Sequence, residues 1–215
     1  MERFKDRRDA GRKLAEKLAQ YKGQPDTIIL GLPRGGVPVA DEIADKLDLP
    51  MDVYVVRKLG TPMHEELAMG AIASNGAKVL NESVIKSAGV QDSKVEEVVA
   101  REQKEVRRRE ELFRGDREPL SSKGKTVIIV DDGLATGATM KAAVQAVRST
   151  GSKKVVVAVG AAPRDTYEEF QQMEDADEIV SVITPRVFIG VGRFYENFTQ
   201  TTDEEVQECL KKQRS

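Results

Sequence analysis

The segment Val127-Ile128-Ile129-Val130-Asp131-Asp132-Gly133-Leu134-Ala135-Thr136-Gly137-Ala138-Thr139-Met140 runs from four consecutive aliphatic residues into two adjacent carboxylates. It then passes through small residues into an apolar-periodic stretch. An unbroken β-branched run bounded by turn formers suits a strand buried on both faces, as in a parallel sheet covered by helices. Open α/β sheets bind ligands beyond the carboxyl ends of their strands, so Asp131 and Asp132 fall where a site is built. Ala135, Thr136, Gly137, Ala138 and Thr139 offer backbone N–H groups and two hydroxyls to an anion at the start of the next helix, where the dipole favours negative charge. Carboxylates repel a phosphate, so their partners are sugar hydroxyls or a hydrated metal ion beside this cup. A phosphorylated sugar satisfies both halves. Taken singly, Asp-Asp-Gly is also an ordinary turn and Thr-Gly-Ala-Thr an ordinary helix start. Their union behind a buried strand makes the site reading specific. Neither G-x-x-x-x-G-K-[ST] nor G-x-G-x-x-G occurs, which argues against a P-loop nucleotidase and a typical dinucleotide-binding dehydrogenase.

The same alternation continues on either side. Aliphatic runs predict strands at 27–32, 51–57, 127–131, 154–160 and 178–183. Helical spacing predicts helices at 9–21, with Leu14, Leu18 and Tyr21 in step, and at 38–47, 139–149 and 164–173. Strands alternating with helices make βαβ units. The expected fold class is therefore α/β, a mostly parallel central sheet with helices on both faces. Residues 69–74 and 78–80 flank Asn75-Gly76, a hairpin signal, and are expected to add an antiparallel hairpin to one edge of that sheet. Residues 92–113 are the most charged part of the chain. Val95, Val98, Val99, Val106 and Phe113 mark a thin apolar stripe, while Glu97/Arg101, Glu105/Arg109 and Glu110/Arg114 are i,i+4 pairs of an exposed helix. Arg107, Arg108 and Arg109 invite an anionic partner, but acidic neighbours nearly cancel their charge, and a solvated helix face is the favoured reading. Residues 115–124, with Pro119, read as a loop back into the sheet.

Composition sets the outer bounds. With 215 residues, 40% of them hydrophobic and 33% charged, the chain supports one sizeable core under a highly charged surface. A formal net charge of −2 supplies no overall basic field, so nucleic acid is not an expected partner. Cys209 is the sole cysteine and His64 the sole histidine, which excludes an intrachain disulfide, a zinc finger and a His-rich metal site. The first residues lack the apolar core of a secretory signal, and the longest apolar run, 155–163, is far short of the about 20 residues that cross a bilayer. A soluble, cytoplasmic protein without a membrane partner is expected.

Residues 127–140 resemble the 5-phosphoribosyl 1-pyrophosphate (PRPP) binding motif of the type I phosphoribosyltransferases. Gly31-Leu32-Pro33-Arg34-Gly35-Gly36 is similar to the pyrophosphate loop of that family, and Val55-Val56-Arg57-Lys58 to its next strand end. The resemblance covers most of 27–184, and the termini resemble an uncharacterised branch. It implies transfer of the phosphoribosyl group from PRPP to a nitrogenous acceptor. Asp131 and Asp132 would hold the ribose hydroxyls beside a magnesium cofactor, and Ala135, Thr136, Gly137, Ala138 and Thr139 the 5′-phosphate. Gly35 and Arg57 would help to bind PRPP, and Arg34 and Lys58 would stabilise the leaving pyrophosphate. A loop at 60–67 would close over the site, with Glu66 contacting the acceptor or its proton. Read alone, Leu32 to Gly36 is equally a β-to-α turn. Arg57 and Lys58 are equally solvated strand-end residues, and His64 and Glu66 ordinary loop residues.

Some of the picture stays open. Family members using 6-oxopurines tend to carry an aspartate where Ala135 stands, so hypoxanthine and guanine are not the expected acceptors. The string Asp132-Gly133-Leu134-Ala135-Thr136-Gly137 is closer to adenine-using members, but the hood does not match theirs. The expected organisation is one domain over 1–215, with a core at about 24–184 and a hood formed from 1–23 and 185–215. In that hood Phe188, Phe194, Tyr195 and Phe198 enclose either a base or one another. A homodimer is compatible with this reading. The alternative is a PRPP-sensing regulatory or RNA-binding protein of the same fold, for which the arginines at 107–109 are the support.

Overall fold

A computed structural model describes residues 3–65 and 67–212. In chain order the elements are α1 (Arg7–Lys17), β1 (Thr27–Gly31), α2 (Gly36–Leu47), β2 (Met51–Val53), β3 (Val56–Gly60), β4 (Ala68–Ala73), β5 (Lys78–Leu80) and α3 (Glu82–Ser87). They continue with α4 (Asp92–Arg114), β6 (Thr126–Gly133), α5 (Ala138–Ser149), β7 (Lys154–Ala161), α6 (Arg164–Gln171), β8 (Glu178–Ile183) and α7 (Asp203–Lys212). Strands β2-β1-β6-β7-β8, in that order, form a five-stranded sheet whose every pairing is parallel.

The aliphatic runs explain why both faces are covered. Alternate residues of a strand point to opposite faces. Ile29, Ile128, Val130, Val156 and Ala158 join the core under α1 and α2, whereas Ile28, Leu30, Val127, Ile129, Val155 and Val157 join the one under α5 and α6. All are 3% exposed or less. Full burial of each Val, Leu or Ile side chain contributes about 1.5–3 kcal/mol, so a polar residue at any of these places would be costly. Register then sets the site. Gly31 lies opposite Val130, and Leu32 N–H donates to the Val130 carbonyl at 2.9 Å. The loop leaving β1 therefore runs beside Asp131 and Asp132.

Two expectations need correction. The run at 51–57 is not one strand. The parallel ladder ends where Tyr54 N–H donates to the Gly31 carbonyl, and Val55 turns away with Ser74 accepting its N–H at 2.9 Å. The hairpin at 69–74 and 78–80 does not extend the central sheet either. Strands β4 and β5 pair with β3 in a separate three-stranded antiparallel sheet, with Arg57 opposite Ile72 and Lys58 opposite Ala71. Arg57 and Lys58 thus sit within a strand and not at the end of one.

The charged helix reaches from Asp92 to Arg114, and its last turn is anchored. Asp52 of β2, 1% exposed, accepts from Arg114 Nε, Arg117 Nη2 and Leu120 N–H, which fixes the loop after α4. Helix α1 packs along α2, with Arg8 on α1 paired to Asp41 on α2 at 2.9 Å. The two ends of the chain meet where Phe4 N–H donates to the Phe194 carbonyl and Glu196 N–H to the Phe4 carbonyl, both at 2.8 Å. Phe4, Phe194, Tyr195 and Ala161 make a small third core there. Among the described residues no helix is long and apolar enough to cross a membrane.

Candidate functional site

Strand β6 continues through Asp131 and Asp132 to Gly133, so the two carboxylates are its last charged side chains before the chain leaves the sheet. Asp131 Oδ1 accepts the Asp132 N–H at 2.8 Å. Burial, and then the neighbouring Asp132 charge, hold the Asp131 carboxyl well above the usual carboxylate range. Burial raises Asp132 as well, but here a cation opposes it. Arg7 Nε donates to Asp132 Oδ2 at 2.8 Å, with both side chains 13% exposed.

Arg7 is itself fixed from the other end of the chain. Its Nη1 donates to the Thr199 carbonyl at 2.6 Å, and its guanidinium lies 4.1 Å from the centre of the Phe198 ring. Tyr195 hydroxyl donates to the Asp132 backbone carbonyl at 2.6 Å. These contacts give Asp132 a cationic, aromatic collar. Sequence reasoning missed Arg7, because a partner 125 residues away has no spacing signature. The only available signal was an arginine opening a helix in a terminal segment assigned to the hood.

Gly35 completes this side. A Cβ on Gly35 would stand 2.1 Å from Asp132 Oδ2, and one on Gly36 would stand 2.4 Å from the Val130 carbonyl. Only glycines let the loop between β1 and α2 come this close to the carboxylates.

After Gly133 the backbone passes through a short loop into α5. Gly137 has a left-handed φ of 71° and caps α5 without a side chain of its own; Ala138 N–H donates to Thr136 Oγ1 at 3.4 Å, a long bond that an external acceptor at this helix start could replace. Thr136 and Thr139 are exposed there. Thr139 also borders a cleft of about 410 Å³, together with Arg57, Lys58, Glu65, Arg101 and Glu102. Arg57 Nε donates to Glu102 Oε2 at 2.9 Å, and Arg101 Nε donates to Oε1 at 3.0 Å. Burial pushes the Glu102 carboxyl up, but the bonds from Arg57 and Arg101 outweigh it and hold the group below the usual range.

The structure therefore brings Asp131, Asp132 and Gly35 together, and Arg57, Lys58 and Thr139 together, with Ala135, Thr136 and Gly137 in the loop between β6 and α5 and Ala138 opening the helix. Arg34 goes elsewhere: its Nη1 reaches Asp203 Oδ1 at 3.3 Å, in a neighbouring cleft. The 60–67 loop is closed on itself, with Thr61 N–H donating to the Leu67 carbonyl at 2.9 Å. Glu66 lies outside the described residues. Asp131 and Asp132, adjacent at the end of β6, suit a magnesium ion held by one or two carboxylates plus substrate oxygens. No group of three or more His, Cys, Asp or Glu gathers among the described residues, so such an ion would take the rest of its shell from substrate and water.

Residues 2–187 match a family model described as a phosphoribosyl transferase domain. The chain belongs to the phosphoribosyl transferase family. A Mycobacterium tuberculosis protein provisionally named as a phosphoribosyl transferase, Rv0571c, is 48% identical over 206 residues, which are 96% of this chain. The chain spans only 46% of that relative's length. The crystal structure of TT1426 from Thermus thermophilus is 42% identical, covers 97% of both chains and superposes with a TM-score of 0.87. The bifunctional protein PyrR of Clostridium acetobutylicum is 28% identical over 141 residues, 66% of this chain and 60% of its own. The α/β architecture of this phosphoribosyl transferase domain is thus shared along almost its whole length with a solved structure.

Proposed function

We propose that the chain transfers the 5-phosphoribosyl group of PRPP to a nitrogenous acceptor, releasing pyrophosphate. One observation carries this reading: Thr139, in the first turn of α5, borders one cleft with Lys58 and Arg57, and the carboxylate dyad ends β6, the strand that leads into that helix. The ribose hydroxyls donate to Asp131 and Asp132, and the 5′-phosphate accepts from the N–H groups around Thr136 to Thr139. As the bond from the ribose carbon to the pyrophosphate oxygen lengthens, positive charge grows on the sugar and negative charge on the leaving group. Lys58 meets the negative charge, and Arg34 joins it by turning from Asp203. Holding the acceptor nitrogen in line supplies much of the remaining rate. A magnesium ion, when bound beside the dyad, would neutralise phosphate charge. Closure of the 60–67 loop, with Glu66 near the acceptor, would exclude water from the cationic centre.

The test is pyrophosphate release from PRPP with magnesium across a panel of purine and pyrimidine bases. Turnover with at least one base, reduced by Lys58→Ala, supports transfer. PRPP binding without release from any base would contradict it and assign the chain a sensing role.

A further inference from the structure

Arg34 and the arginines of α4 share a second cleft. It measures about 300 Å³ and is bordered by Arg34, Arg108, Arg109 and Asp203 against a wall of Leu112 and Phe113. These residues come from three parts of the chain: the loop after β1, the C-terminal half of α4 and the first residue of α7. Gln207 Nε2 donates to the Leu112 carbonyl at 2.6 Å, which ties α7 to α4 at the cleft.

The guanidiniums there have more donors than acceptors. Glu105 takes Arg108 through Nε and Nη2, at 2.8 and 3.0 Å, and Arg109 through Nε, at 2.7 Å. The two Nη groups of Arg109 have no hydrogen-bond partner among the described residues, and Arg34 has only its 3.3 Å contact to Asp203. Three positive charges thus meet two negative ones, against an apolar wall that weakens screening. Arginine forks match phosphoryl oxygens in pairs, and the volume is at the small end of ligand-sized clefts.

We infer that this cleft binds a small phosphoryl anion, held by Arg34, Arg108 and Arg109 with the Asp203 carboxylate displaced from Arg34. An RNA backbone fits less well, because Glu105, Glu110 and Glu111 interrupt the basic run along α4 and the chain carries a net charge of −2. The inference does not rest on phosphoribosyl transfer. It does couple the cleft to that site, because Arg34 precedes Gly35, the residue packed on Asp132.

The experiment is calorimetric titration of the full chain with inorganic tripolyphosphate, without magnesium, in parallel with a single-stranded RNA. Wild type should bind tripolyphosphate, and Arg108→Ala combined with Arg109→Ala should weaken it by about tenfold or more, as expected for lost charge-assisted bonds. Arg109→Lys, which keeps the charge and loses the fork, should fall between the two. Lys86→Ala, which removes an exposed lysine of α3 outside both clefts, should leave the affinity within about twofold of wild type; a loss there equal to that of the double arginine variant would show unspecific charge binding and overturn the inference. Equal affinity in the double arginine variant, no binding by wild type, or tighter binding of RNA than of tripolyphosphate would overturn it too. Both side chains lie on an exposed helix face, and an unchanged melting temperature confirms that the variants fold.

Discussion

The two sides of the candidate phosphoribosyl site hold opposite charges in opposite ways. On the side of the parallel sheet, Asp132 is restrained by Arg7, a pair only 13% exposed on each partner and reinforced by Phe198, Thr199 and Tyr195. On the side of the small antiparallel sheet, Arg57 is restrained by Glu102, but Arg57 is 40% exposed and Glu102 is shared with Arg101. In both cases the core strand supplies the functional charge and a helix outside the sheet supplies its counter-charge. Burial makes the difference. The cations differ most: losing Arg7 strands a carboxylate with little access to water, whereas losing Glu102, itself only 9% exposed, leaves Arg57 and Arg101, 40% and 63% exposed, to be solvated.

Removing the enclosed cation should have the larger effect. Arg7→Ala strands the Asp132 carboxylate and releases Thr199 and Phe198, and should cost about 2–3 kcal/mol. That corresponds to a melting temperature lower by about 5 °C or more in a chain of this size. A thermal melt matching wild type would mean that the collar does not restrain Asp132.

Gly35→Ala tests the same side without deleting a charge. The new methyl group displaces the Asp132 carboxylate from Arg7, so PRPP affinity should fall by about tenfold, and the melting temperature should fall too, by less than in Arg7→Ala because both charges remain. An unchanged affinity would show that the carboxylate position is not critical.

The open pair should matter least. Glu102→Gln should cost below about 1 kcal/mol near neutral pH. Because the folded Glu102 carboxyl lies below its usual value, its contribution is complete above the ordinary glutamate pKa of about 4.3 and is lost as pH falls through the lower folded value. Wild type and Glu102→Gln should therefore converge in stability in acid. A gap that widens in acid would contradict the pairing.

The same contrast explains what the sequence made legible. Residues 127–140 announced the strand, the dyad, the cup and the helix because all of that information is local: a β-branched run, two adjacent acids, a glycine turn and an apolar period. The parallel sheet followed from the same cue repeated at β1, β7 and β8. The collar was hidden, because Arg7 meets Asp132 and Thr199 across 125 and 192 residues. So was Glu102, which looked like one more acid on a charged helix until β3 brought Arg57 against it. The split of 51–57 into two sheets was equally invisible, since Tyr54 and Val55 are as β-prone as their neighbours. Only the Gly31 and Ser74 hydrogen bonds show where the ladder changes.

The central claim, that the dyad and cup form a phosphoribosyl site, is tested most directly by calorimetric titration of PRPP with magnesium. Wild type should be compared with Asp131→Asn and Asp132→Asn. Charge-assisted bonds to the ribose hydroxyls contribute about 1.5–3 kcal/mol each, so each variant should bind PRPP at least about tenfold more weakly; Asp131→Asn should melt near wild type, and Asp132→Asn, which strands Arg7, should melt lower. Wild-type affinity in both variants, or no PRPP binding by the wild-type chain, would contradict the account.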